Sequence, residues 1–255
     1  MIPHVGSQLW ADVRWRHGWR VQSHVALPVS RLLDPVDEAH KHGSLEACER
    51  ALDQMAPRKV SQRHLVVLIH GLGRTRYSMR RLDRAITAAG MTAARLDYPS
   101  MRRTIQEHAS QVAEVLDHLE RPKKLSFVTH SLGGLIVREL FAKDAPWQSA
   151  VNRVVMLAPP NQGAASARSL DTSPLRTVMG PSFRQIAEGA ARGLPVPRAP
   201  VAIVAAEIAH TGTDGLVTVE ETKLDGMAAH WVVPSVHTFV MNHPTAIRRT
   251  LEFLS

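Results

Sequence analysis

Ser131 stands in Thr129-His130-Ser131-Leu132-Gly133-Gly134, between the apolar runs Leu125-Ser126-Phe127-Val128 and Leu135-Ile136-Val137. A serine hydroxyl attacks a carbonyl only when a base takes its proton and its oxygen is exposed. A strand that turns into a helix at the serine provides that exposure. The turn crowds the backbone, so small residues are wanted two positions before and after the serine. Gly133 meets this requirement; Thr129 carries a Cβ that must be housed. The helix predicted over 132–142 would aim its first N–H groups and positive dipole end at a developing oxyanion, with the Leu132 N–H as one donor. His70-Gly71-Leu72-Gly73 is a second loop free of bulky side chains, and its Leu72 N–H is the candidate second donor. His70 is read as organising that loop through a hydrogen bond. No Gly-Lys-Ser/Thr follows, so the loop is not a phosphate-binding one.

These residues need a scaffold. Leu65–Ile69 is continuously apolar and β-branched, the pattern of a strand buried on both faces of a parallel sheet. Runs at 92–96, 125–129, 154–157, 201–205 and 230–233 repeat it. Helical patterns lie between most of them: 76–89, 104–119, 132–142, 182–191 and 245–254. This alternation predicts an α/β fold: a mostly parallel central sheet with helices on both faces. Upstream, runs at 9–15 and 19–25 flank His17-Gly18 and read as a hairpin, and residues 36–55 read as a helix weakened near His42-Gly43. Residues 1–59 are thus expected to form a hairpin and helix packed on the sheet edge, and residues 60–255 the main domain. Within it, 159–200 holds no convincing strand and is rich in proline and glycine, as a lid-like insertion would be. Leu170, Leu175, Val178, Met179, Phe183, Ile186 and Leu194 are its apolar members.

Residues 64–75 and 128–134 resemble the two signature loops of α/β-hydrolase lipases and esterases, and the resemblance extends over about residues 60–255. It implies hydrolysis of carboxylic esters by a Ser-Asp/Glu-His triad in that chain order, with no metal or cofactor. The acid then follows a late strand. Thr213-Asp214-Gly215-Leu216-Val217 is similar to the family's acid loop, which makes Asp214 the candidate and Glu207 its rival. The base belongs between the last strand and last helix, where His237 and His243 both lie. His237 directly follows the strand. His243 sits between a plausible N-cap, Asn242, and a plausible first helical residue, Pro244. His130 is read as a pocket residue beside the nucleophile. Besides ester hydrolysis, the same triad would serve an acyltransferase or thioesterase, and the fold a non-catalytic binding protein.

The 255 residues carry a formal net charge of +8. Much of it sits at Arg74, Arg76, Arg80, Arg81 and Arg84 and at Arg102 and Arg103, without interleaved aromatics or a nucleic-acid-binding signature. The expected partner is a small-molecule or lipid ester, not nucleic acid, with peripheral attraction to an anionic membrane or lipid surface as a further reading. Cys48 is the only cysteine, so no disulfide forms within the chain, and its helical setting suits a structural thiol. No signal peptide or membrane-spanning run is visible, and the expected location is cytoplasmic.

Overall fold

The buried apolar runs become one parallel sheet. The computed structural model describes residues 5–57, 63–170 and 178–255. Strands β5 (His64–Ile69), β6 (Thr92–Leu96), β7 (Lys124–His130), β8 (Val151–Leu157), β9 (Val201–Glu207) and β10 (Ala229–Pro234) pair in the order β10-β9-β8-β7-β5-β6, every pair parallel. Side chains alternate across a strand, so β5 feeds two cores. Leu65, Val67 and Ile69 face one with α3 (Ile105–Asp117) and α4 (Leu132–Leu140). Val66 and Leu68 face the other with α2 (Arg80–Ala88) and α7 (Pro244–Leu254). Thr104 and Glu107 form a capping box that starts α3. Among the described residues no helix is long and apolar enough to cross a membrane.

Upstream, the hairpin is part of a larger element. β1 (Trp10–Arg16), β2 (Trp19–His24), β3 (Ser30–Leu33) and β4 (Ala39–Gly43) form a four-stranded antiparallel sheet in sequence order. The helix read over 36–55 is therefore corrected to α1 (Leu45–Met55), preceded by β4. Ser44 sets its start: the side chain accepts a hydrogen bond from the Ala47 N–H at 3.3 Å. β4 pairs with β3 through a register shift between Leu32 and Leu33, but it is an exposed edge strand with no apolar alternation, so its sequence carries no strand signal. α1 buries Cys48 and Leu52 against Val13, Val21 and Leu32, and burial pushes the Cys48 thiol up.

This sheet meets the larger one at its β6 edge. The Asp12 N–H donates to Asp97 O at 3.0 Å, just past β6, and β1 packs against α3. An edge that would otherwise offer unpaired backbone groups is covered in this way. A buried ionic network crosses the junction. The Asp12 carboxylate accepts from Arg20 Nη1 at 3.1 Å, Gln22 Nε2 at 2.8 Å and the Asp97 N–H at 2.7 Å. Arg20 also bonds Asp37, as does Arg76, whose N–H donates to Asp97 Oδ1 at 2.8 Å.

The insertion contributes α5 (Ala165–Leu170) and α6 (Pro181–Ala187). Phe183, Ile186 and Leu194 are buried, whereas Val178 is exposed. Leu175 lies outside the described residues, as does the side chain of Leu170. Arg138 of α4 fastens both ends of the segment. Its guanidinium donates to Asn161 O at 3.0 Å, to Asn161 Oδ1 at 3.2 Å, to Pro195 O at 3.1 Å and to Leu194 O. Burial lowers its pKa to about 10.

Breaking a buried pair strands the remaining charge and costs about 3–5 kcal/mol, whereas an exposed pair contributes about 1 kcal/mol or less. Asp12→Ala is therefore expected to lower the denaturation midpoint far more than Glu252→Ala, which removes the exposed pairs to Arg248 and Arg249. Equilibrium urea unfolding of the two variants measures the difference.

Candidate active site

At the end of β7 the chain reverses into α4 through Ser131, whose backbone sits at φ 52°, ψ −120°. A non-glycine residue held there stores on the order of 1–3 kcal/mol, so its surroundings must fix it. The Ser131 N–H donates to Leu157 O on β8 at 2.9 Å, and the Gly134 N–H returns to Ser131 O at 2.9 Å. Gly133 lies against the end of β5: a Cβ there would meet Ile69 O at 2.6 Å. Thr129 is accommodated in the sheet's interior. Its side chain is buried, donates to Val155 O at 3.4 Å, and lies opposite Gly134, where a Cβ would be 3.5 Å from the Thr129 hydroxyl. What Gly134 makes room for is Pro159, whose Cβ a side chain there would meet at 3.0 Å.

Three side chains meet in line. His237 Nε2 is 2.8 Å from Ser131 Oγ, and His237 Nδ1 is 2.7 Å from Asp214 Oδ2. Because a carboxylate only accepts, the Nδ1–H donates to Asp214 and leaves Nε2 free to accept the serine proton. Asp214 is buried, and its other oxygen accepts from the Leu216 and Val217 N–H groups at 2.9 and 2.7 Å. The Asp214 loop and His237 are also tied through the backbone, the His237 N–H donating to Asp214 O at 3.0 Å. The rival residues lie elsewhere. His243 caps α7. Glu207 accepts from the Gly212 N–H at 3.3 Å and faces His210.

The 70–76 loop forms the opposite wall. The Gly73 N–H donates to Ser100 Oγ at 3.0 Å, Tyr98 OH to His70 O at 2.6 Å, and His70 Nδ1 to Gly71 O at 2.9 Å. Gln8, from the first described turn, reaches Ser100 Oγ and Arg74 O at 3.5 Å each. Among the described residues no hydrogen-bond acceptor engages the Leu72 or Leu132 N–H. Sequence reasoning missed Gln8 and Ser100, which act across long separations with no local pattern. Leu72, Ser131 and His237 border a cavity of about 180 Å³, which the insertion closes with Met179, Phe183 and Ile186. Ser166 of α5 donates to Leu216 O, which latches the insertion to the acid loop.

A family model described as "Domain of unknown function (DUF7379)" matches residues 33–229. No curated protein matches the sequence. Solved structures do match in shape. The mature form of the Bacillus licheniformis lipase BlEst2 aligns with TM-score 0.64 at 17% identity, over 78% of this chain and 96% of that one. The metagenomic carboxyl esterase MGS0156 gives TM-score 0.54 at 18% identity over 78% and 76%. The phospholipase PlaB from Legionella pneumophila gives 0.56 at 15% identity over 76% and 59%. At these identities the likeness is one of fold, and the fold is that of the α/β-hydrolases.

Buried histidines surround the site. His130 Nε2 donates to His237 O at 3.0 Å, and its ring fills the space beside Gly71, where a Cβ would lie 2.7 Å from Nδ1. His70 stacks on Tyr98 with ring centroids 4.2 Å apart, and His108 meets the same ring edge-on at 4.8 Å. Burial lowers His70 to about 4 and His108 to about 3, and it depresses His130 further from its ordinary range, helped by His237. The folded protein keeps these rings neutral while the unfolded chain protonates them near pH 6.5, so the unfolded state binds more protons as pH falls. Stability is full above that pH and drops by roughly 1.4 kcal/mol per ring for each pH unit below it, until the folded pKa is reached. Calorimetry between pH 7.5 and 5 is expected to show Tm falling with pH, with a shallower slope for His108→Phe.

Proposed function

This chain belongs to the family described as a domain of unknown function (DUF7379), and from its site we propose that it is a serine carboxylester hydrolase acting through Ser131, His237 and Asp214. The observation that carries this reading is the continuous relay from Ser131 Oγ to His237 to Asp214, at 2.8 and 2.7 Å, on a strained turn at the cavity wall. The lipase and esterases that share the fold are consistent with it.

His237 Nε2 takes the hydroxyl proton as Ser131 Oγ attacks the ester carbonyl carbon. The carbonyl oxygen becomes an oxyanion, held by the Leu72 and Leu132 N–H groups. Loss of one such donor typically costs about 10²–10³ in rate. Asp214 fixes the tautomer of His237 and stabilises the imidazolium. The tetrahedral intermediate expels the alcohol, which takes the proton from His237, and leaves an acyl group on Ser131. Water, deprotonated by His237, attacks that acyl group; the acid departs and Ser131 regains its proton. His130 holds the His237 carbonyl and keeps the ring against Ser131.

Hydrolysis of short 4-nitrophenyl esters tests the reading. Ser131→Ala and His237→Ala are expected to lower kcat/KM by about 10³-fold or more, the scale on which triad members act as a unit. His243→Ala is expected to stay within about threefold, the scale of a substitution outside the relay. Full activity in Ser131→Ala would refute the mechanism. Loss in His243→Ala with retention in His237→Ala would move the base.

A further inference from the structure

One charged side chain in the cavity wall has no role in the relay. Arg74 lines the cavity together with Ser131 and His237, while most of the remaining lining is apolar. Its backbone is fixed on both sides, the N–H donating to Gly71 O at 3.2 Å and the carbonyl accepting from Gln8 Nε2. Among the described residues no carboxylate lies within ion-pair distance of its guanidinium and no hydrogen bond from it is made. Its neighbours differ: Arg76 pairs with Asp37 and Asp97, and Arg95 with Asp83 at 2.6 Å. Arg74 is only partly exposed. Asp214 is committed to His237 and two backbone N–H groups, and none of the described residues lining the wall is an acid that offsets Arg74.

A guanidinium presents five donors in a planar fork that matches a carboxylate. Arg74 shares the wall of one cavity with Ser131 and His237, so a carboxylate on that fork lies in the same cavity as the reacting carbonyl. We infer that Arg74 is a specificity-determining residue that binds a carboxylate on the substrate, and that the preferred substrates are esters carrying a carboxylate near the scissile bond. This rests on the hydrolase reading above.

The test compares matched charged and neutral esters. 4-Nitrophenyl hemisuccinate against 4-nitrophenyl butyrate places the charge on the acyl side. 4-Acetoxybenzoate against its methyl ester places it on the alcohol side. The wild type is expected to favour the charged member of at least one pair in kcat/KM. Arg74→Gln is expected to lower that ratio by about tenfold or more, the range of a charge-assisted hydrogen bond. Arg74→Lys, which keeps the charge and loses the fork, is expected to lower it less. A wild type that favours the neutral member of both pairs overturns the inference. So does an Arg74→Gln variant that slows both members of a pair by the same factor. In either case, loss of hydrolysis in Ser131→Ala leaves the hydrolase reading standing. If Ser131→Ala hydrolyses the esters as fast as the wild type, that reading fails and this inference with it.

Discussion

The structure turns on one residue held where its backbone does not rest. Ser131 takes a positive φ at the junction of β7 and α4, and each neighbouring choice serves to keep it there. β7 is central, flanked by β5 and β8, so the strand entering the turn cannot shift without breaking two ladders. Leu157 takes the serine's N–H, and Gly133 lets α4 start in contact with the Ile69 carbonyl. The strain is small beside the burial that enforces it. Each apolar side chain buried in the two cores contributes about 1.5–3 kcal/mol before conformational entropy is charged against it.

The same contact brings the two loops together. Gly133 touches the end of β5, and β5 leads into the 70–76 loop. The turn that exposes the serine therefore also sets its distance from Leu72. The second shell of this arrangement is built from uncharged groups: the His70–Tyr98–His108 stack, Ser100 and His130. Full charges are kept at the junction of the two sheets, where Asp12, Arg20, Asp37, Arg76 and Asp97 offset one another. Low-dielectric surroundings make an uncompensated charge expensive, and this partition spares the histidines packed behind Ser131 that expense.

Much of this was legible in the sequence because burial on two faces leaves a strong pattern. Leu65–Ile69 has only one comfortable home, and the apolar runs on either side of Ser131 mark both elements of its turn. Asp214 and His237 were legible as residue types beside strand ends, though only the coordinates separate His237 from His243 by their distance to Ser131. Elements whose stability comes from elsewhere were not legible. β4 is an exposed edge of five polar or small residues that owes its form to β3, and a helical reading of that stretch fits its composition as well. Gln8 and Ser100 join segments 92 residues apart, and no window along the chain displays such a contact. Thr129 looked awkward because its hydroxyl finds its partner on the neighbouring strand, at Val155 O, which no local window displays.

Arg138 fastens Asn161 and the Leu194–Pro195 carbonyls to the helix that follows Ser131. The insertion is therefore a loop whose ends are already closed by the core. Closure entropy grows only with the logarithm of loop length, so doubling the segment would cost about 0.6 kcal/mol. Between those two anchors Phe183, Ile186 and Ala187 pack into the core shared with α3 and α4, and Ser166 holds Leu216, so the segment is tied to the Asp214 loop as well as to its own ends. The clamp sets where the roof of the cavity begins and ends, and it does so from the same helix whose first turn holds the serine.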